Sequence, residues 1–366
     1  MFVVVAPGLE RLAADELASI GIPTGKVRAQ HGGLDVQATT RQLYAIHRWA
    51  RIPTRVLVRV ATDTVRNWDE LRALLRTVDW GQYLPAGDAA AEAAGVEVHV
   101  ASHRSVLYHQ GAIAERVVAA LGHPELKGGQ AVHLRLDRDR AVVSVDASGE
   151  LLHRRGWRSE THRAPLRATI AAAMVRASGW DGAVPLVDPL AGSGTIAIEA
   201  ALWATATPID RPFAFQQWPS FEPGTWASVT GTGRNDVLRA PVLAADRDAG
   251  AFAALERHIE AAGLGDRVSA QRAALAAQQW PSTETGRALV ITNPPYGHRV
   301  GGTGKGDLRD LYATLGRRAT EAGARLVVLA SDRRVADASG LELDELFSVD
   351  NGGIPVLCLA SPRIVG

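Results

Sequence analysis

Short apolar runs and amphipathic segments are mixed along the first part of the chain. Runs typical of strands cover residues 2–6, 55–60, 96–102, 132–136 and 141–146. Apolar residues at helical spacing cover 9–20, 39–49 and 112–121. Because strands and helices occur here without strict alternation, residues 1–150 are predicted to form a module of mixed α+β type.

The pattern becomes more regular after residue 165. Apolar strands are predicted at 184–187, 242–245, 267–270, 289–291, 326–330 and 356–359, with helical segments between them. This order is typical of an α/β domain with a mostly parallel sheet and helices on both faces, here residues 166–366. Residues 151–165 are predicted to be a basic linker, and we expect the α/β domain to fold without residues 1–150.

An insertion rich in aromatic residues, 208–241, interrupts the α/β domain. Its aromatic residues are Phe213, Phe215, Trp218, Phe221 and Trp226. Aromatic rings in such a segment are suited either to stacking nucleic-acid bases or to packing the insertion onto the domain. The sequence leaves both interpretations open.

The most informative motif is Asn293-Pro294-Pro295-Tyr296, directly after an apolar strand. The Asn side chain offers an acceptor, and the carbonyl of Pro294 cannot join a regular ladder because two prolines interrupt the strand. Together these oxygens can hold an exocyclic amino group, while Tyr296 offers a flat face for a planar base. The alternative is an ordinary turn, since Asn and Pro both favour turns.

A second motif begins where the strand 184–187 ends. It reads Asp188-Pro189-Leu190-Ala191-Gly192-Ser193-Gly194-Thr195, an acidic residue, a glycine-containing turn and a helix start. Small residues let the backbone approach a ligand and a helix N-terminus favours an anionic group, which implies a nucleotide-like cofactor. The third glycine of the dinucleotide fingerprint and the Gly-Lys-Ser/Thr of phosphate-binding loops are both missing, so neither pattern fits.

The two motifs together resemble those of the amino-group branch of the class I S-adenosylmethionine-dependent methyltransferases. Residues 2–17 resemble the opening of THUMP-domain RNA methyltransferases, and 151–158 and 164–167 resemble the segment that joins the THUMP module to its catalytic domain. Residues 213–219 and 351–353 resemble the branch that methylates guanine N2 in 23S ribosomal RNA. The resemblance implies a Rossmann-like methyltransferase domain preceded by a ferredoxin-like/THUMP RNA-binding module.

The resemblance also implies roles for individual residues. The implied catalytic residues are Asn293, Pro294 and Tyr296, and the implied S-adenosylmethionine-binding residues are Arg167, Asp188, Pro189, Ala191, Gly192, Gly194, Thr195 and Asp246. Asp246 would accept the ribose hydroxyls, although it could instead cap the next helix, a role that Asp248 serves equally well. The family's third motif usually ends in an acid, which 271–275 lack, so adenine recognition is expected to fall to backbone groups there.

Arginines cluster in two places that suit phosphate contacts. Six lie between residues 41 and 66 and five between 154 and 167, each cluster with one acid. The expected RNA-binding residues are Arg154, Arg155, Arg158 and Arg299. The competing interpretation is an ordinary solvated surface.

The expected activity is methyl transfer to guanine N2 in structured RNA, most specifically 23S ribosomal RNA. Three alternatives stay open. Similar enzymes methylate a transfer RNA guanine, Asn-Pro-Pro-Tyr also occurs in adenine-N6 and glutamine-N5 methyltransferases, and a decayed domain would leave a non-catalytic RNA-binding protein.

Composition narrows the setting but not the activity. The 366 residues are 46% hydrophobic and 22% charged, which is ordinary for a globular protein. No apolar run approaches the ~18 residues of a membrane span, so we expect a cytoplasmic protein with no membrane partner. We also expect a monomer. The eleven histidines show no metal-ligand spacing, so no metal is expected.

Overall fold

Two sheets form the framework of the protein. The computed structural model describes residues 1–85, 95–158, 166–230, 238–281, 288–296 and 305–362. Within these ranges fourteen strands form two seven-stranded sheets, accompanied by ten α-helices. None of these helices combines the length and the apolar character needed to cross a membrane.

The first sheet belongs to the N-terminal module. Its strands are β1 Phe2–Val4, β2 Val27–Gln30, β3 Gly33–Val36, β4 Arg55–Thr64, β5 Val96–His103, β6 Gln130–Asp137 and β7 Arg140–Asp146. The helices are α1 Glu10–Ser19, α2 Thr40–Trp49, α3 Trp68–Arg76 and α4 Gln110–Leu121. All five predicted strands and three predicted helices are present. The short β2 and β3 and the helix α3 were missed, although Asn67 caps α3 by accepting from the Glu70 amide.

The long strand β4 unites the two halves of this module. The sheet order is β2-β3-β1-β4-β7-β6-β5, antiparallel except for the β5–β6 pair. The first residues of β4 pair with β1, and nearly the whole strand pairs with β7. One continuous sheet therefore runs through the module.

The second sheet has the predicted α/β character. Its strands are β8 Leu186–Asp188, β9 Val242–Asp246, β10 Val268–Arg272, β11 Ala288–Thr292, β12 Ala324–Ala330, β13 Asp344–Asp350 and β14 Pro355–Ala360. The helices are α5 Ala168–Ser178, α6 Thr195–Ala204, α7 Pro223–Thr230, α8 Ala249–Ala261, α9 Lys305–Glu321 and α10 Arg333–Ala336. The edge strand β13 was missed because its acidic residues face outward and few of its side chains are buried.

The order of this sheet places a ligand site next to β8. The order is β10-β9-β8-β11-β12-β14-β13, with the first five strands parallel and the last two antiparallel to their neighbours. The chain continues from β8 to β9 on one side and reaches β11 on the other, so the direction of winding reverses at β8. In parallel sheets the crevice at such a reversal is where ligands bind. The predicted Rossmann-like fold is confirmed.

The aromatic insertion packs onto the N-terminal module. Phe213, Phe215 and Trp218 are 2%, 0% and 8% exposed. The ring of Phe215 stacks on Tyr44 of α2, with centroids 4.5 Å apart. Of the two interpretations of the insertion, the structure therefore supports packing for these three rings, which are covered and cannot receive a base.

A buried ion cluster joins the two parts of the chain. The carboxylate of Glu199, on α6, is fully buried and lies 3.2 Å from Arg51 of the N-terminal module and 3.2 Å from Arg155. Arg155 also donates to the carbonyls of Leu152 and Arg51. The predicted role of Arg155 in RNA binding is therefore wrong, because its side chain is only 2% exposed and its donors are occupied inside the protein.

The predicted linker is packed along its described length, residues 151–158. Leu152 and Trp157 are buried in a hydrophobic core that also contains Val3 of the first sheet and Leu186 of the second. Removing residues 1–150 would open this core and take away Arg51. The expectation that the α/β domain folds alone is therefore not supported.

Candidate active site

The strands that carry the two motifs lie side by side. β8 pairs in parallel with β11, Val187 opposite Val290, so Asp188 and Asn293 follow at the same edge of the sheet. Asp188 is 1% exposed, and its Oδ1 accepts a hydrogen bond from Thr292 Oγ1 at 2.7 Å. Burial of this carboxyl group raises the pKa of Asp188 to about 7.

The turn after β8 depends on two glycines with left-handed backbone. Gly192 has a φ of 55° and Gly194 a φ of 87°. A Cβ at Gly192 would meet nothing within 4 Å, whereas a Cβ at Gly194 would lie 2.4 Å from Leu255. The first glycine therefore leaves open space beside the backbone, and the second lets α6 pack closely on α8.

Asp246 closes the turn from the neighbouring strand β9. Its Oδ2 accepts from the Gly192 amide at 2.9 Å and its Oδ1 from the Asp248 amide at 2.9 Å. The cap of α8 belongs to Asp248, which accepts from the Ala251 amide at 2.7 Å. A carboxylate has about four acceptor sites, so Asp246 keeps capacity for ribose hydroxyls, and that role stays a prediction.

The N-terminus of α6 is supported by an arginine from the junction segment. Gly194 occupies the cap position and no side chain caps the helix. The Oγ1 of Thr195 accepts from Arg158, which also donates to the Leu166 carbonyl at 3.4 Å. Its guanidinium is thus engaged with the turn after β8 and with the segment before α5, while the predicted role of this partly buried side chain in RNA binding stays a prediction.

The Asn-Pro-Pro-Tyr segment contains a buried hydrogen-bond acceptor. Among the described residues, Asn293 Oδ1 has no hydrogen-bond partner although it is buried. Pro294 is buried beside it, and the hydroxyl of Tyr296 accepts from Asn351 Nδ2 at 2.5 Å. Tyr296 is 6% exposed, so little of its ring is free, and base stacking by this ring stays a prediction.

The other implied cofactor residues lie around the same turn or at the start of α5. The amide of Ala191 donates to the Ala245 carbonyl at 2.9 Å, and the Pro189 carbonyl accepts from Gln278 at 2.8 Å. Arg167 is exposed at the residue that precedes α5. The structure thus gathers the motif residues at one edge of the sheet, while their contacts with a cofactor stay predictions.

Of the four expected RNA-binding arginines, Arg154 alone is described with an exposed side chain. It pairs with Glu150 at 3.1 Å, and the two side chains are 65% and 59% exposed. Such a pair contributes little and does not prevent Arg154 from contacting phosphate. Arg299 lies outside the described residues.

Sequence reasoning missed three side chains that hold the motifs in place. Thr292 bonds to Asp188, Gln278 to Pro189, and Asn351 to Tyr296. A hydroxyl at the end of an otherwise apolar strand was a usable signal for Thr292. The sequence carries no comparable signal for Gln278. Asn351 was noted only because residues 351–353 resemble the branch that methylates guanine N2.

These donors and acceptors fit S-adenosylmethionine, which supplies a methyl group on a sulfonium centre when bound. The uncapped amides at the start of α6 suit its carboxylate, Asp246 suits its ribose, and Gly192 leaves room for close approach. Among the described residues no cluster of three His, Cys, Asp or Glu side chains could hold a metal ion.

Replacing Asp246 with Asn should weaken binding of S-adenosylhomocysteine by roughly 1.5–3 kcal/mol, the scale of a lost charge-assisted hydrogen bond. Isothermal titration calorimetry measures this directly. Asp248→Ala is the matched control, since it removes the cap of α8 but should leave affinity within about twofold. Equal affinity of the Asp246→Asn and unchanged proteins would rule out the ribose role.

Replacing Asp188 with Asn should stabilise the protein at pH 8. The folded-state pKa of Asp188 is raised, so its contribution to stability is complete below about pH 4 and is lost as the pH rises through about 7. The Asn side chain cannot ionise, so the variant avoids this loss. Its free energy of unfolding should exceed that of the unchanged protein by on the order of 2–4 kcal/mol at pH 8 and should equal it near pH 4. Chemical unfolding across this pH range tests it, with the exposed Asp266→Asn as control. Identical pH dependence in all three proteins would show that Asp188 is not the titrating group.

Two family models match the sequence and agree with these two structural parts. A model described as "RMKL-like, methyltransferase domain" matches residues 155–358, more than half of the chain. A model described as "RlmL ferredoxin-like domain" matches residues 1–57. Both confirm the resemblance found in the motifs.

Curated relatives are similar along nearly the whole chain. A Synechocystis protein named "Putative RNA methyltransferase slr0064" is 30% identical over 98% of this chain and 95% of its own length. A "Ribosomal RNA large subunit methyltransferase K/L" of Syntrophotalea carbinolica is 31% identical over 96% of this chain and 52% of its own length. The chain thus spans about half the length of the K/L relatives.

Solved structures share the fold from end to end. SMU.472, crystallised with SAH, matches with a TM-score of 0.85 at 24% identity, covering 100% of this chain and 98% of that one. TrmN from Thermus thermophilus matches with a TM-score of 0.72 at 22% identity, covering 99% of both chains. At these identities the likeness supports the fold alone. Together with the family models and the curated relatives, it means that the chain belongs to the RMKL-like family of S-adenosylmethionine-dependent methyltransferases.

Proposed function

We propose that this enzyme methylates the exocyclic N2 amine of a guanine in structured RNA, and that the RNA is large-subunit ribosomal RNA. The observation that carries the proposal is the buried Oδ1 of Asn293 at the carboxyl end of β11, which has no hydrogen-bond partner among the residues that the structure describes. A buried acceptor without a donor costs roughly 1–3 kcal/mol. An amine that donates to this oxygen would remove that cost, so the site favours a substrate with an N–H group.

Positioning is the main task of the residues around Asn293. The N2 of guanine is a poor nucleophile because its lone pair is delocalised into the ring. Hydrogen bonds from its two N–H groups to Asn293 Oδ1 and the Pro294 carbonyl would turn the lone pair toward the methyl group. The same two oxygens favour the positive charge that develops on nitrogen. A methylated ammonium is acidic enough to release its proton to water, so the proposal needs no strong general base.

The choice of ribosomal RNA rests on the relatives and on the N-terminal module. Proteins named as ribosomal RNA large subunit methyltransferases are about 30% identical over almost the whole of this chain. The module that precedes the catalytic domain carries the arginines 41–66, some of which, such as Arg41 and Arg66, are exposed. The other four, 48, 51, 55 and 59, pair with acidic residues, so it is the exposed arginines that suit contacts with the phosphate backbone of a folded RNA.

The proposal is tested with purified protein, methyl-labelled S-adenosylmethionine, and separate fractions of unmodified ribosomal and transfer RNA. Nucleoside analysis should find N2-methylguanosine in the large-subunit ribosomal RNA. N6-methyladenosine as the product would overturn the choice of guanine. Methylation of transfer RNA alone would overturn the choice of ribosomal RNA, and no transfer with any fraction would leave the non-catalytic alternative.

A further inference from the structure

A closed ring of hydrogen bonds joins the carboxyl ends of three neighbouring strands, β8, β9 and β10. The Ala273 amide donates to the Asp246 carbonyl at 3.1 Å, which ties the segment after β10 to the end of β9. The Asp246 carboxylate accepts from the Gly192 amide at 2.9 Å, which ties β9 to the turn after β8. Gln278 closes the ring, because its Nε2 donates to the Ala273 carbonyl at 3.2 Å and to the Pro189 carbonyl at 2.8 Å.

The orientation of the Gln278 amide follows from a third partner. The indole Nε1 of Trp280 can only donate, and it lies 3.0 Å from Gln278 Oε1. The amide nitrogen must therefore face the two carbonyls. Gln278 is 3% exposed, so its hydrogen bonds are made inside the protein, where the loss of a partner is costly.

Arg318 of α9 supports the same segment of backbone. Its guanidinium donates to the Gln278 carbonyl at 2.6 Å and to the Ala276 carbonyl at 3.4 Å. It also lies over the ring of Trp280, 4.8 Å from its centroid. Four of the five residues 273–277 are alanines, whose small side chains make few packing contacts. The position of this segment therefore depends largely on the polar contacts of Gln278 and Arg318.

This segment is the part of the chain that is expected to bind adenine. The cofactor of the family is S-adenosylmethionine, and the family's third motif usually ends in an acid that contacts the adenine amine. Residues 271–280 contain no Asp or Glu. Backbone groups can replace that acid only if they are held where the base meets them, since a wall that must first become ordered loses affinity.

We propose that Gln278 is a positioning residue for the methyl donor, and that it makes up for the missing acid by fixing the backbone wall against which adenine binds. Gln278 acts through the carbonyl groups of Pro189 and Ala273, which it holds at a set separation. The wall is thus in place before the cofactor arrives, and binding orders less of the chain. The proposal concerns the methyl donor and is independent of which RNA accepts the methyl group.

The test replaces Gln278 with Met, which has nearly the same length and volume but cannot make the three hydrogen bonds. Isothermal titration calorimetry should find that S-adenosylhomocysteine binds roughly tenfold more weakly, or worse. Gln279→Met is the matched control, since this neighbouring side chain is exposed and its loss should change affinity by no more than about twofold. Equal affinities of the Gln278→Met and unchanged proteins would overturn the proposal.

A second ligand separates positioning of the adenine wall from general loosening of the site. The ligand 5′-methylthioadenosine keeps the adenosine of S-adenosylhomocysteine but lacks its amino-acid part. Because the wall meets only the adenosine, Gln278→Met should weaken both ligands by about the same factor. A loss with S-adenosylhomocysteine that is absent with 5′-methylthioadenosine would place the effect at the amino-acid end of the cofactor, and the assignment to adenine would fail.

A variant at Arg318 decides the question if circular dichroism shows that Gln278→Met does not fold. Arg318→Leu removes the donors to two carbonyls of the segment but leaves the Gln278 amide in place. It should weaken both ligands about threefold or more. The matched control is Arg317→Leu, the adjacent arginine of α9, whose side chain is 57% exposed. Equal affinities of the Arg318→Leu and Arg317→Leu proteins would then overturn the proposal.

Discussion

Replacing Asn293 with Ala is expected to lower kcat for methyl transfer by at least about 100-fold while leaving affinity for S-adenosylhomocysteine within a few-fold. The reason is the position of the side chain. Its Oδ1 is a buried acceptor without a donor in the described structure, so it is available to an incoming amine. Single-turnover methylation of RNA measures the rate, and calorimetry measures the affinity.

The neighbouring Pro295→Ala is the matched control for Asn293→Ala. Pro295 lies in the same segment but is exposed, so its loss should change kcat by no more than about threefold. If Asn293→Ala retains substantial turnover, the acceptor amine is held by other groups. If instead Asn293→Ala loses cofactor affinity in proportion to its loss of rate, Asn293 holds the methyl donor rather than the amine that receives the methyl group.

Replacing Glu199 with Ala should lower the free energy of unfolding by about 3–5 kcal/mol. The substitution leaves Arg51 and Arg155, which are only 5% and 2% exposed, as buried charges without their counter-ion. Burial already lowers the pKa of Arg51, because the charged guanidinium is taken from water. Urea unfolding followed by circular dichroism measures the effect.

An exposed glutamate provides the comparison for Glu199. Glu321 pairs with Arg317 at 2.8 Å on α9, with side chains 53% and 57% exposed. Glu321→Ala should change stability by no more than about 0.5 kcal/mol, because water screens that pair. Similar losses for Glu199→Ala and Glu321→Ala would mean that the buried cluster does not hold the two parts of the chain together.

The features that the sequence predicted well are those set by neighbouring residues. The motifs at Asp188 and Asn293 were found because each follows an apolar strand, and parallel strands end at a common edge. The helix caps follow the same logic, since the Asp248 cap depends on residues within one turn. Local chemistry therefore predicted the fold class, the main strands and the position of the glycine-containing turn after β8.

The features that the sequence did not predict depend on partners far away in the chain. Arg154, Arg155 and Arg158 look alike in a basic segment, yet the first is exposed, the second faces Glu199 and the third holds Thr195. Nothing within a few residues separates these outcomes. The one available signal was Glu199 itself, a charged residue within an apolar helix, which required a buried partner.

The shared core has a consequence for how a nucleotide is chosen. Leu152 and Trp157 lie in a core common to both sheets, and Arg51 pairs with the buried Glu199, so the described part of the junction, residues 151–158, is packed against both parts of the chain. Under the proposed function, the separation between RNA held on the module and the amine held at Asn293 would then be a fixed length. Among many guanines of equal chemistry, such an enzyme would modify the one that the folded RNA presents at the matching distance.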